Sequence, residues 1–330
     1  MQKLGLIQYV QAYPIAGEGF AIARGSYTQA NAVHAGLRMN DAYGYGATIT
    51  VSRYGESLES VSAEIARAAP KLESNITIAE LQELLPAGGA RNALDCALWD
   101  LRAKQAGKRV WEMLNLPAPK AVRVSHTTIS LDTVDKMAER ARGMTGQLKL
   151  KLGGTLADDI ERLHAVAAAA PGATLIIDAN EGWSVETLKA MLPEIARVNV
   201  IALEQPLPAA QDEALLDIHA ACPIYADEAM HTRADLPRIA ARYQGINIKL
   251  PKTGGLTEAL ALKDSAKRMG LKIMVGCMVE PSLASAPAFL VAQGAEIADL
   301  DGARLLGADS TPSLVFENDM LLPYGADVWG

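Results

Sequence analysis

The chain has 330 residues, about twice the usual length of one domain, which leaves room for two domains or for a barrel with an addition. Half of it is apolar and 21% is charged, too apolar for a disordered chain or a low-complexity fibre. The formal net charge is −7 with no basic block, so nucleic acid and anionic membrane are excluded as partners, while an anionic small molecule is not.

No window holds the roughly 18 uninterrupted apolar residues that cross a bilayer. The apolar stretch at 4–10 is too short and too polar for a signal-peptide core. Cys96, Cys222 and Cys277 are far apart and form no CxxC pair, so neither a disulfide framework nor a structural zinc site is expected. The expectation is a soluble cytoplasmic protein, as a monomer or a homo-oligomer.

In chain order, residues 1–50 read as short alternating strands and turns, and 58–115 as helices. The segment 90–104 keeps its apolar residues at helical spacing and ends near Gly107, and Pro117 and Pro119 stop the run. Strands followed by helices suggest a compact α+β unit over 1–120. From 121 the pattern alternates, with strands predicted at 122–131, 147–152, 174–180, 200–206, 224–228, 246–250, 272–278 and 298–301. Helices are predicted between them, for example at 158–170, 184–197, 211–221 and 256–269. Eight strands with intervening helices point to a (β/α)7β TIM-like barrel over 121–310, with 311–330 packing back on the first unit. A doubly wound open sheet competes, but Gly44-Tyr-Gly46-Ala47 lacks the third glycine and the following helix of a phosphate loop.

Five consecutive barrel strands end in an ionisable residue: Lys151, Asp178, Glu204, Asp227 and Lys249, at separations of 27, 26, 23 and 22 residues. Side chains alternate along a strand, so in Gln147-Leu-Lys149-Leu-Lys151-Leu152 both lysines share one face and the leucines take the other. If the leucines face the outer helices, the charged groups point into the barrel at its C-terminal mouth, where this fold carries its active sites. Three buried carboxylates need a compensating cation, and a set of Asp178, Glu204 and Asp227 without Cys or His suits Mg²⁺. Lys151 and Lys249 come from opposite sides of the barrel, and a neighbouring cation should lower a lysine from ~10.4 toward ~7–8. Two such bases around one metal-bound carboxylate suit removal of a proton on one face and its return on the other, a racemisation or epimerisation.

These residues resemble the enolase superfamily, muconate-lactonizing subgroup, whose Lys or His bases work with Mg²⁺. The resemblance rests on Lys149-Leu-Lys151, Asp178-Ala-Asn180, Leu203-Glu204-Gln205-Pro206, Ala226-Asp227-Glu228 and Ile248-Lys249-Leu-Pro-Lys252-Thr-Gly254-Gly255. Arg91-Asn-Ala-Leu-Asp-Cys-Ala-Leu-Trp99 is similar to a helix of the family's capping domain, and Arg53-Tyr-Gly-Glu-Ser57 to its capping loop. Within the subgroup the chain is most similar to the dipeptide epimerases that act on L-Ala-D/L-Glu. That similarity implies Lys151 and Lys249 as acid/base residues and Lys149 at the substrate carboxylate. It implies Asp299 and Asp301 at the substrate ammonium, Arg24 at the glutamate side chain and Thr128 as a further substrate contact. It also implies a role in recycling murein peptides. Ala47 departs from the glutamate many members carry there.

The same scaffold runs cycloisomerisation, dehydration to o-succinylbenzoate and N-acylamino-acid racemisation, and a barrel that binds without turnover is a third reading. Asp299 and Asp301 favour a substrate with an ammonium group. By strand parity Lys252 falls off the inward face, Glu228 reads as structural and Asn180 as a group behind the ligands. Cys96 reads as core, and the five histidines show no zinc spacing.

Overall fold

A computed structural model describes residues 3–330, with Thr127 and Thr128 as backbone only. The chain opens with β1 (Gly5–Pro14), β2 (Phe20–Ile22), β3 (Gly25–Tyr27), β4 (Gln29–Met39) and β5 (Ala42–Ile49). Helices α1 (Leu58–Ala68), α2 (Ile78–Leu84) and α3 (Gly89–Ala106) follow. β1, β4 and β5 form an antiparallel sheet, and β2 and β3 form a separate hairpin. Val33, Ala35 and Leu37 of β4 pack with Val61, Ile65, Leu94 and Leu98 of the helices in one core. The glycines of Gly44-Tyr-Gly46 exist for this packing: a Cβ on Gly46 would lie 2.2 Å from Ala93 O, so only glycine lets β5 touch the backbone of α3. As expected, α3 stops at Gly107, which takes the left-handed conformation at φ 61°.

After α4 (Val110–Met113) and the short β6 (Val122–Arg123) come eight parallel strands, hydrogen-bonded in chain order. They are β7 (His126–Ile129), β8 (Gly146–Lys151), β9 (Ala173–Asp178), β10 (Val200–Glu204), β11 (Ile224–Ala226), β12 (Gly245–Ile248), β13 (Lys272–Gly276) and β14 (Ile297–Asp299). A bond from Ser125 N–H to Ala298 O, 2.8 Å, links the first strand to the last and closes the barrel. Helices α5 (Val134–Ala141), α6 (Leu156–Ala169), α7 (Val185–Ile195), α8 (Leu236–Arg242), α9 (Leu250–Thr253), α10 (Leu256–Arg268) and α11 (Ser282–Ala292) form the outer layer. The chain ends with β15 (Phe316–Glu317) and β16 (Met320–Leu321), and β16 pairs with β6.

The strand-end side chains face as their alternation predicts. Leu148, Leu150 and Leu152 belong to the core between strands and helices, whereas Lys149 and Lys151 are buried outside that core, in contact with carboxylates. A small inner core of Ile176, Ala202, Tyr225, Met274 and Ile297 plugs the barrel beneath them. Gly245 leaves room for the Tyr225 ring, which a Cβ would meet at 2.4 Å.

Two expectations change. The strand predicted at 122–131 is split, because Val122 and Arg123 pair with the C-terminal Leu321 and Met320 rather than with the barrel. The helix predicted at 211–221 is a 3₁₀ segment, Asp212–Asp217, that keeps the Asp212 carboxylate inside, where Arg238, Arg242 and Tyr243 donate to it. That buried anchoring wins over apolar periodicity.

Candidate active site

The strand-end residues meet. Oxygen atoms of Asp178, Glu204 and Asp227 lie within 4.8 Å of one another, and all three side chains are buried. Lys149, near the end of β8, lies 2.6 Å from Glu204, 2.6 Å from Asp299 and 3.2 Å from Asp178. Lys151, the last residue of β8, lies 2.6 Å from Asp178. Lys249, just past β12, lies 2.8 Å from Asp227. In the eight-strand order β8 and β12 are four strands apart, so the two lysines flank the acids from opposite walls.

The electrostatics follow from these contacts. Burial pushes the Asp178 carboxyl up, but Lys151 and Lys149 pull it further down, and the net direction is below the usual carboxylate range. Asp227 likewise falls well below it, with Lys249 and Lys252 overcoming burial. Glu204 goes the other way, up to about 7, from burial and the neighbouring Asp178 charge. Burial lowers Lys249, yet Asp227 and Glu204 raise it more, so its net shift is upward. The downward shift expected for Lys249 from the sequence presumes a divalent cation beside it; the carboxylates by themselves act in the opposite direction, and their attraction outweighs burial. Lys149 is raised in the same way, mainly by Asp299, Glu204 and Asp178 working against burial.

Lys252 departs from the expectation. It is 2% exposed, and its ammonium donates to the side chain of Asp227 at 2.5 Å and to Asn247 O at 3.2 Å. Parity failed because the chain leaves the strand at Lys249 and turns straight into α9, so alternation no longer applies. Pro251 in the first turn of that helix was the available signal. Asn247, on β12, was missed as well; its side-chain amide donates to Glu204 at 2.7 Å. Glu280 is buried beside the site, raised to about 7 by burial, and takes a bond from the Ser285 hydroxyl at 3.0 Å.

The remaining predicted residues sort by element. Arg24 sits in the turn between β2 and β3, and its guanidinium lies 2.8 Å from Glu228 and 3.5 Å from Glu181 across the barrel mouth. Ala23 beside it enters a notch made by two glycines, Gly153 and Gly182, either of whose Cβ atoms would meet it at 2.6 or 3.1 Å. Asp299 ends β14, and Asp301 follows two residues on; both are buried. Thr128 lies on β7, the first barrel strand, but its side chain is outside the described residues.

A capped eight-stranded barrel with three buried acids and two opposed lysines at its mouth defines a class of barrel enzymes that set lysines around an acidic metal-binding cluster. The chain belongs to the mandelate racemase/muconate lactonizing enzyme family of the enolase superfamily: residues 9–115 match the family's N-terminal domain and 132–311 an enolase C-terminal domain-like unit. It is 43% identical to an L-Ala-D/L-Glu epimerase of Escherichia coli (strain K12) over 93% of this chain and 96% of that protein. It is 40% identical to an N-acetyl-D-glutamate racemase of a Pseudoalteromonas species, covering 87% and 91% of the two chains. An enolase family member from Agrobacterium tumefaciens with homology to dipeptide epimerases, solved with sodium and L-Ala-L-Glu, superposes with a TM-score of 0.95 at 44% identity, covering 98% and 99%.

Proposed function

We propose that this protein is a Mg²⁺-dependent dipeptide epimerase that inverts the α-carbon of the C-terminal residue of L-Ala-D/L-Glu. The observation that carries the reading is the pair Lys151 and Lys249 on opposite walls around one cluster of acids. Asp178, Glu204 and Asp227 offer only hard oxygen donors, close together and buried, which fits Mg²⁺. These three residues would hold the ion, which would supply positive charge to offset the charge growing on the substrate's carboxylate as the α-proton leaves.

The protein's own groups do the rest. One of Lys151 and Lys249 takes the α-proton and the other returns a proton to the opposite face, so configuration inverts. Lys149, charged and buried among the acids, adds a donor for the substrate's terminal carboxylate. Asp299 and Asp301 receive the ammonium of the N-terminal residue, and Arg24 the side-chain carboxylate.

The relative that racemises N-acetyl-D-glutamate supports a second reading, N-acylamino-acid racemisation on the same lysines. Such a substrate brings no ammonium for Asp299 and Asp301. We also place the protein in the cytoplasm, in the turnover of peptidoglycan peptides. All three cysteines are free, which suits a reducing compartment, and among the described residues no helix is long and apolar enough to cross a membrane.

The test is proton NMR with Mg²⁺ in D₂O on L-Ala-L-Glu and, separately, N-acetyl-L-glutamate. Loss of the glutamyl α-proton signal with appearance of the L,D dipeptide supports the epimerase. Exchange on N-acetyl-L-glutamate alone moves the function to the racemase, and no exchange on either overturns both.

A further inference from the structure

Glu228 is an unexpected group to bury. Its side chain is 1% exposed, one oxygen lies 2.8 Å from Arg24, and the other has no hydrogen-bond partner among the described residues. A carboxylate so placed costs stability relative to an apolar side chain of the same size. What it contributes is visible at Arg24.

The guanidinium of Arg24 is held by one corner. Nη1 donates to Asn180 O at 2.7 Å and pairs with Glu228 at 2.8 Å, with Glu181 at 3.5 Å. The Nε–Nη2 edge has no partner among the described residues, and the side chain remains 33% exposed. A guanidinium fixed at one corner presents its other edge as a rigid fork, the geometry that takes a carboxylate with two parallel bonds.

Glu181 is fixed with equal care. It follows Asn180 in a second consecutive left-handed conformation, φ 45° and then 65°, which a glutamate rarely adopts. Gln205 O accepts its backbone N–H at 2.9 Å, Ala209 N–H donates to its carboxylate at 2.9 Å, and Arg53 grips it with two bonds of 2.8 and 2.9 Å. The loop carrying Arg53 and the turn carrying Arg24 thus meet on one barrel carboxylate.

We propose that Glu228 and Glu181 are positioning residues that hold Arg24 by its Nη1 corner, so that its Nε–Nη2 edge reads the side-chain carboxylate of the dipeptide's C-terminal residue. This deepens, and rests on, the epimerase reading. Selectivity for an acidic side chain then depends on two acids that do not touch the substrate.

The test compares L-Ala-L-Glu with L-Ala-L-Met in the parent and in Glu228→Gln and Glu181→Gln, with kcat and KM from the NMR assay and Mg²⁺ affinity from calorimetry. The parent prefers L-Ala-L-Glu. In each variant kcat/KM for L-Ala-L-Glu falls about tenfold or more relative to L-Ala-L-Met, carried by KM, as expected when a well-aimed charged bond loses its aim. Mg²⁺ affinity stays within threefold. An equal loss on both substrates, or an unchanged ratio, overturns the proposal. If Glu228→Gln does not fold, Glu181→Gln decides alone. A parent inactive on both dipeptides instead overturns the epimerase reading, and this proposal with it.

Discussion

Lys151 and Lys249 occupy matching positions at the ends of strands on opposite walls, each bound to a different member of the acid cluster. Replacing either with alanine should lower epimerisation by about 10³-fold, the usual worth of a positioned proton-transfer group. The lysine that remains should still exchange the α-proton of one diastereomer with solvent, without inversion. NMR in D₂O reads both effects, and a single variant that keeps full epimerisation would sink the two-base assignment. Lys252 calls for a different experiment. Its ammonium holds Asp227 and so competes with a metal for that carboxylate. Lys252→Met should therefore lose about 3 kcal/mol of stability in chelator, as breaking a buried ion pair does. It should then gain more from added Mg²⁺ than the parent gains. Thermal melts with and without Mg²⁺ give the answer; a smaller Mg²⁺ gain than the parent's would make Lys252 a helper of the metal and not its rival.

The cap sheet illustrates how elements set a titration. His34 of β4 is 3% exposed, stacked at 4.6 Å on Tyr9 of β1, with Tyr13 Oη 3.1 Å from its Nε2. Burial pushes its imidazole down to about 4. In the unfolded chain it titrates near ~6.5, so below that pH the unfolded state takes up a proton that the folded state refuses. Stability should fall as pH drops from about 6.5 toward 4, by about 2 kcal/mol at pH 5. His34→Gln removes this contribution, so the stability gap between parent and variant should narrow from pH 7 to pH 5 in urea titrations. A constant gap would assign the acid sensitivity elsewhere. The same sheet explains why the glycines at 44 and 46 are no phosphate loop: strand–helix contact demands them, and sequence alone offers two meanings for one spacing.

At the scale of the molecule, the C-terminal residues tie the cap to the barrel. Trp329 is 1% exposed and its indole N–H donates to Cys96 O of α3 at 3.1 Å, while Gly330 N–H donates to Asp100 of the same helix at 2.7 Å. Tyr324 reaches the other way, donating to Ala286 O on α11 at 2.6 Å. Arg91 adds a second tie, from α3 to Thr253 O and Gly254 O beyond β12, at 2.7 and 3.1 Å. Trp329→Ala should cost about 4 kcal/mol, the range for emptying a buried tryptophan site. Chemical denaturation measures it, and a loss under about 1 kcal/mol would mean that the tail is a passive wrapping.

The strand-end charges, their common face and the barrel they occupy were legible from sequence because alternation along a strand is local. Each of Lys149, Lys151, Asp178, Glu204 and Asp227 announces its direction by its own neighbours. The left-handed stop of α3 at Gly107 was legible for the same reason. Lys252 was misread where the chain changed from strand to helix and the periodicity changed with it. The contact of Arg24 with Glu228, the grip of Arg53 on Glu181 and the split of the first barrel strand join residues more than a hundred positions apart. The first two pairings are settled by how the cap docks on the barrel and the third by where the C-terminal strands return, and no local pattern encodes either. Sequence alone thus determined which residue types point into the site, and the tertiary structure decided how their charges pair, because a pairing depends on distances between strands that no single strand encodes.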